Sequence, residues 1–165
     1  KVQNVLVRVI KGLEGKTFTD VPSIAVELDQ HGCMYKPRVV AARVGQEVVI
    51  INSDAVFHNV RSLSKNNPNF NVPMAKKDQR ISKRFDHPEI IMQAKCSVHP
   101  WMGAYIAIID HPFFDISNAQ GDFKISHLPE GKYTIEVWHE VFGTQLKEIE
   151  VSAQNNVPIN FTFKN

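Results

Sequence analysis

The chain has few of the features that mark membrane-spanning, helical or disulfide-bonded proteins. Among its 165 residues no apolar stretch approaches the length of a membrane-spanning helix, so we expect no membrane span. No amphipathic run with helical period exceeds about two turns, which argues against a helical fold. Only two cysteines are present, and a chain of this length buries a core without disulfides. The net charge of +2 excludes nucleic-acid binding driven by the overall field.

What the chain does contain is a series of short Val- and Ile-rich runs, separated by nine prolines and eight glycines. This pattern predicts an all-β protein. Six runs predict the strands of a first sandwich, at residues 24–28, 38–44, 47–52, 81–85, 90–96 and 104–109. After Asp110-His111-Pro112 the pattern restarts with runs at residues 115–117, 122–125 and 128–137, which predicts a second, smaller β-sandwich.

The chemistry is concentrated in one short segment. Cys96, His99 and Met102 follow one another at intervals of three residues, and His58 lies 38 residues before Cys96. Two His, one Cys and a weak axial Met form the ligand set of a blue-copper electron-transfer centre. Three ligands on one loop reach a metal only if the loop curls around it, and His58 must then come from a separate strand. The spacing therefore predicts a mononuclear copper site with these four ligands.

Two other kinds of site use part of this set. Zinc is possible with His58, Cys96 and His99, although structural zinc sites prefer four Cys or His ligands at paired spacings and have no use for Met102. A Cys–His nucleophile is the third possibility, but no orienting Asn or Asp is indicated. Copper is the interpretation that uses every residue.

Residues 44–52, residues 57–60 and the Cys96 loop together resemble the cupredoxins, and the loop spacing is that of the amicyanin type. The resemblance covers roughly residues 22–110 and implies a Greek-key cupredoxin sandwich. It implies the same ligands, a Cu(I)/Cu(II) couple, and a non-enzymatic electron carrier. A dinuclear purple site would need two cysteines in this loop, which has one.

The resemblance also assigns roles beside the ligands. Asn59, the residue after the strand His, is expected to hydrogen-bond across to the Cys96 loop and hold the two ligand segments together. Amicyanin-type loops carry Pro directly before the second ligand His, whereas this chain has Val98. The N–H of Val98 is then available to the Cys96 sulfur, which bears on the redox potential.

The sequence from Gly121 to Ile135 resembles a carboxypeptidase-regulatory-like module, which is a transthyretin-type sandwich with an Ig-like architecture. The segment after Pro112 is short for a seven-stranded sandwich, and residues 4–10 alternate like a strand. We therefore expect a cupredoxin domain at 22–110, inserted into a second domain formed by 1–21 and 111–165.

Cys33, in the element His31-Gly32-Cys33, leaves three interpretations open. By analogy with plastocyanin it lies near the copper mouth. It is a free thiol at the rim, a disulfide partner of Cys96 in metal-free protein, or, with His31, a ligand of a second or altered metal site. The last interpretation gives an alternative function: a copper-handling or sensing protein, or an enzyme component.

The expected partner is a redox protein, such as a c-type cytochrome or an oxidoreductase. Residues 61–95 hold eight Lys or Arg against three Asp or Glu, with a cluster formed by Lys76, Lys77, Arg80, Lys83 and Arg84. The cluster is either a solvated face that protects an edge strand or a surface that attracts an acidic partner. Because the chain begins at Lys1 without Met, we expect a processed, exported protein, periplasmic or extracellular.

Overall fold

A computed structural model describes residues 1–152 and 158–163. These residues form strands and loops without any helix, which confirms the all-β class. No part of the described chain provides a helix long and apolar enough to cross a membrane. The strands, in chain order, are β1 (Leu6–Lys11), β2 (Val26–Gln30), β3 (Tyr35–Lys36), β4 (Val39–Arg43), β5 (Val48–Asn52), β6 (His58–Leu63), β7 (Asn71–Met74), β8 (Gln79–Lys83), β9 (Glu89–Lys95), β10 (Gly103–Ile109), β11 (Phe114–Ile116), β12 (Gly131–His139) and β13 (Gly143–Val151).

The chain divides into two compact units. One is Thr19–Asp110, and the other combines Lys1–Phe18 with His111–Asn165. Residues 153–157 and 164–165 of the second unit lie outside the described residues. That these units are a cupredoxin and an interrupted regulatory-like module stays a prediction.

The 19–110 unit is built from two sheets. Their strand orders are β4-β10-β9-β6-β7 and β3-β2-β5-β8. Two pairs are parallel, β10 with β4 and β2 with β5. All five residues of β5 are buried, as expected for a Val- and Ile-rich strand paired on both sides. The buried residues of both sheets form one hydrophobic cluster, which includes Leu28, Ile50, Val60, Met92 and Ile106.

Strand register brings the loops that carry the polar residues to one end of this unit. The ends of β2 and β5 are aligned, because Gln30 pairs with Asn52. In the other sheet Lys95, at the end of β9, pairs with both Gly103 of β10 and Arg61 of β6. The side-chain amide of Gln30 joins this end across the two sheets by donating to the Asn59 carbonyl at 3.1 Å.

The other unit contains a single four-stranded sheet among its described residues, in the order β11-β1-β12-β13. β1 pairs antiparallel with both β11 and β12, so residues from the two ends of the chain share this sheet. Residues 122–125, which the sequence pattern predicts as a strand, form no strand. Apolar side chains of the loop and of residues 158–163 pack on the sheet instead, among them Phe123, Ile125, Leu128, Ile159 and Phe161. The transthyretin-type sandwich therefore stays a prediction.

Candidate metal centre

Three loops at one end of the 19–110 unit carry the side chains that could hold a metal. Cys96 directly follows β9, and Met102 directly precedes β10. The loop between them is closed by its own backbone: Cys96 N–H donates to the Met102 carbonyl at 3.3 Å, and Met102 N–H donates to the His99 carbonyl at 2.9 Å. These two hydrogen bonds curl the loop back on itself. Such a curl is needed if three residues of one short segment are to reach the same metal ion.

The two imidazoles face each other with the same ring atom. His58 Nδ1 lies 3.0 Å from His99 Nδ1. Cys96 Sγ lies 3.8 Å from His99 Nδ1. His58 is fully buried and Cys96 nearly so, whereas His99 is half-buried at the rim. His58 Nδ1 and Cys96 Sγ therefore each lie close to His99 Nδ1, beneath a partly open surface.

Asp54 sets the orientation of His58. The His58 Nε2–H donates to Asp54 Oδ2 at 2.9 Å. Since a carboxylate only accepts, the proton lies on Nε2 and the Nδ1 lone pair is left facing His99. This arrangement, in which a carboxylate fixes the tautomer and the ring plane, is typical of metal-binding histidines. The sequence pattern did not point to Asp54, although a carboxylate four residues before the predicted ligand His58 is a signal for such a role.

The same carboxylate holds the Cys33 loop. Asp54 Oδ1 accepts from Gly32 N–H at 2.7 Å, and Oδ2 also accepts from Cys33 N–H at 2.9 Å. Burial alone would raise the pKa of Asp54, but the hydrogen bonds from Cys33, His58 and Gly32 outweigh it and lower the pKa to about 2. Asp54 is therefore ionised at neutral pH and joins two of the three loops.

Asn59 joins the segment that carries His58 to the loop that carries Cys96. Its Oδ1 accepts from Ser97 N–H at 2.6 Å, directly after Cys96. Its Nδ2 donates to Ser97 Oγ at 3.2 Å and to Asn71 Oδ1 at 2.6 Å. The strand that carries His58 is thus fixed to the segment that carries Cys96.

Beneath the loops lies a buried polar network around Tyr35. The Gln30 amide donates to the Tyr35 hydroxyl at 3.0 Å, and that hydroxyl donates to the Lys95 carbonyl at 3.2 Å. Burial raises the pKa of Tyr35 well above its ordinary value, against the opposing effect of the Gln30 hydrogen bond. Tyr35 is consequently a neutral donor that supports the end of β9, one residue before Cys96. Neither Gln30 nor Tyr35 was predicted to have this role.

The remaining predicted residues are placed as follows. Met102 is fully buried in the same hydrophobic cluster as Cys96. Cys33 is half-buried, and its Sγ lies with one ring nitrogen each of His58 and His99 in a group whose ligand atoms are all within 4.8 Å of one another. His31 is exposed. Neither His31 nor Cys96 belongs to this group, which is the one cluster of three or more such ligands among residues 1–152 and 158–163.

The basic cluster around β8 lies on an edge strand, since β8 ends its sheet. Arg80 pairs with Glu27 at 3.1 Å and Arg84 with Glu47 at 3.6 Å. The Lys83 ammonium lies 4.7 Å from the centre of the Phe70 ring. Part of the cluster's charge is thus balanced within the unit.

No protein-family model and no curated protein matches the chain. Solved structures of similar shape include a Cu-containing nitrite reductase from Thermus scotoductus SA-01, with 22% identity and a TM-score of 0.49 over 53% of this chain. The chain spans only 23% of that enzyme. A purple cupredoxin from Nitrosopumilus maritimus has 23% identity and a TM-score of 0.43, covering 50% of this chain and 98% of its own. A Cu(I) form of an amicyanin mutant has 22% identity and a TM-score of 0.47, covering 62% and 97%.

Proposed function

We propose that residues 22–110 form a cupredoxin domain that holds a mononuclear copper ion and carries single electrons. The observation that carries this proposal is that His58 Nδ1 and Cys96 Sγ lie 3.0 Å and 3.8 Å from the same atom, His99 Nδ1. A thiolate sulfur with two imidazole nitrogens fits copper, because thiolate favours Cu(I) and imidazole suits both oxidation states. His58, Cys96, His99 and Met102 would hold the ion, and bound copper would supply one-electron exchange between Cu(I) and Cu(II).

The protein's contribution is to hold these donors still. Asp54 orients His58, Asn59 fixes the Cys96 loop, and the loop's own backbone bonds close it. Electron transfer is fast when the ligands move little between Cu(I) and Cu(II). The hydrogen bonds that hold these donors in place therefore favour rapid transfer. A carrier also fits better than an enzyme. Of the four proposed ligands, His58, Cys96 and Met102 are buried, and only the half-buried His99 is open to another molecule.

Electron exit is proposed through the edge of His99. The His99 ring lies 5.2 Å from the exposed Trp101 indole, measured between ring centres. Large apolar side chains on the three ligand loops are also exposed: Met34, Val56, Phe57, Val98 and Trp101. Such a surface suits brief contact with another redox protein, such as a c-type cytochrome or an oxidoreductase, and the basic edge at β8 would attract an acidic one.

Two further proposals complete this function. Export to the periplasm or the extracellular space suits copper chemistry of this kind. Residues 1–21 and 111–165 are proposed to form the regulatory-like module, with the cupredoxin inserted between β1 and β11 and with a docking or structural role.

The test is the visible spectrum of the copper(II)-loaded full chain. We expect an intense thiolate-to-copper band that Cys96→Ser abolishes, because a hydroxyl cannot supply the charge transfer. Thermal unfolding of the metal-free variant controls for folding. A wild-type chain that binds copper without the band, or a Cys96→Ser variant that keeps it, would contradict the proposal.

A second candidate function is a copper-handling or sensing protein, or a component of an enzyme. What favours it is Cys33, whose sulfur lies close to both imidazoles. More than one copper bound per chain, measured by elemental analysis after gel filtration, would support this alternative over a simple carrier.

A further inference from the structure

We propose that Cys33 is a second thiolate ligand of the same metal site, so that the donors are two sulfurs, Cys33 and Cys96, and two nitrogens, from His58 and His99. The inference rests on the proposed function, since it adds a ligand to that centre. Its starting point is the group formed by Cys33 Sγ and one ring nitrogen each of His58 and His99, all within 4.8 Å of one another.

These separations match a shared ion. With metal–sulfur bonds of about 2.3 Å and metal–nitrogen bonds of about 2.0 Å, two donors at a tetrahedral ion lie about 3.5 Å apart. The His58–His99 separation of 3.0 Å and the Cys96–His99 separation of 3.8 Å already bracket this value. The Cys33 sulfur lies within 4.8 Å of one ring nitrogen of each imidazole, so sharing the ion requires its side chain to move inward.

The backbone of Cys33 is held in place from both sides of the site. Its N–H donates to Asp54 Oδ2, the oxygen that also accepts from His58 Nε2. Its carbonyl accepts from the Trp101 indole N–H at 3.1 Å, on the loop that carries His99. Cys33 is therefore linked to both ligand loops with its thiol directed at the imidazoles.

The local conformation argues against a simple packing role for this residue. Cys33 has a φ of +54°, a left-handed conformation in which Gly or Asn fits better than Cys. Cys33 is half-buried and packs at the edge of the hydrophobic cluster, but packing alone gives no reason for this conformation. His31, the neighbour that the sequence paired with Cys33, lies outside the cluster, so the nitrogen donors come from His58 and His99 instead.

A second thiolate would change the charge of the centre. Two thiolates neutralise Cu(II) and leave Cu(I) with a net negative charge, whereas one thiolate neutralises Cu(I). A net charge in a partly buried site is unfavourable, so Cys33 stabilises the oxidised form. Removing its sulfur should shift the reduction potential upward.

The experiment counts sulfur ligands by X-ray absorption on the full chain loaded with one equivalent of copper(I). The variants are Cys33→Ser, Cys33→Gly, which also relieves the left-handed strain, and Cys96→Ser. We expect about two short copper–sulfur bonds in the wild type and about one in each variant at position 33, together with a higher potential by voltammetry. Met34→Leu, an exposed neighbour of Cys33, is the matched control and should leave both values unchanged.

The two hypotheses fail differently. An unchanged sulfur count and potential in both Cys33→Ser and Cys33→Gly would overturn the second-thiolate inference and leave the single-thiolate carrier intact. A wild-type chain that holds no copper at this site, or loss of no sulfur in Cys96→Ser, would overturn the proposed function itself.

Discussion

Replacing Asp54 tests whether metal binding depends on a residue that is not itself a ligand. The Asp54 carboxylate accepts hydrogen bonds from His58 Nε2, Cys33 N–H and Gly32 N–H, and its side chain is only 15% exposed. Asp54→Ala removes both carboxylate oxygens and with them all three hydrogen bonds. Asp54→Asn keeps one oxygen, which can serve His58 and Cys33, but its amide group then faces the Gly32 N–H with a donor.

The size of the effect follows from this difference. Loss of the hydrogen-bond partner of a metal-binding His typically weakens metal affinity by about 10- to 100-fold. This corresponds to about 1.4–2.7 kcal/mol. We expect Asp54→Ala near the upper end, because two loops are released and His58 can change tautomer. Asp54→Asn should lie near the lower end, since the exposed Gly32 N–H can turn to water.

Affinity is measured by competition for copper(I) with a chelator of known strength. Nitrogen NMR of the imidazoles in metal-free protein reports the proton on His58, which we expect on Nε2 in the wild type and partly on Nδ1 in Asp54→Ala. Asp86→Asn, at an exposed position, removes the same charge away from the site and serves as the control. Variants that bind copper within about twofold of wild type, with His58 still protonated on Nε2, would refute the reasoning.

The strands predicted well from the sequence are those whose apolar composition alone indicates that they are buried. β5 and β10 are apolar runs paired on both sides, and their observed ends differ from the predicted ones by a single residue. β7 and β13 had no such signal. β7 contains Pro73, and β13 is an edge strand with many charged, exposed residues, so pairing rather than composition makes both of them strands.

Residues 122–125 show the opposite error. Their alternation suggested a strand, yet Phe123 and Ile125 bury their side chains from a loop without pairing to the sheet. Alternation reports which side chains face the core, and it does not require a neighbouring strand to hydrogen-bond with.

At the site, residues that lie close together in the sequence were easier to predict than residues that the fold brings together from distant segments. Cys96, His99 and Met102 lie on one short loop, so their spacing alone indicated that they act together. The position of Cys33 depends on two consecutive left-handed residues, Gly32 and Cys33, and on a carboxylate 21 residues away. No local pattern encodes that contact, which is why only the analogy with plastocyanin placed Cys33 near the copper mouth and its role stayed open among three interpretations.

Three further predictions concern the stability of the two units. Asn59→Ala should lower the free energy of unfolding by about 1–3 kcal/mol, because the Ser97 N–H loses its acceptor; denaturant unfolding checks this against Asn66→Ala, at an exposed position. Deleting residues 1–11 removes β1 from between β11 and β12, so it should destabilise that sheet in thermal unfolding and spare the copper band; an unchanged unfolding curve would argue against the inserted arrangement. The last concerns Glu89, a buried carboxylate that accepts from Ser64 Oγ, Lys65 N–H, Asn66 N–H and the Asn67 amide. Burial opposes ionisation, but these hydrogen bonds lower the pKa of Glu89 below its ordinary value of 4.5. Because the folded-state pKa is the lower one, the stabilisation is present above pH 4.5 and is lost as the pH falls through the folded-state value. Glu89→Gln should therefore be less stable than wild type at pH 7, and the difference should shrink as the solution is acidified below the ordinary glutamate pKa. Parallel stability curves for the two proteins through this acid range would show that the Glu89 hydrogen bonds do not favour the ionised form.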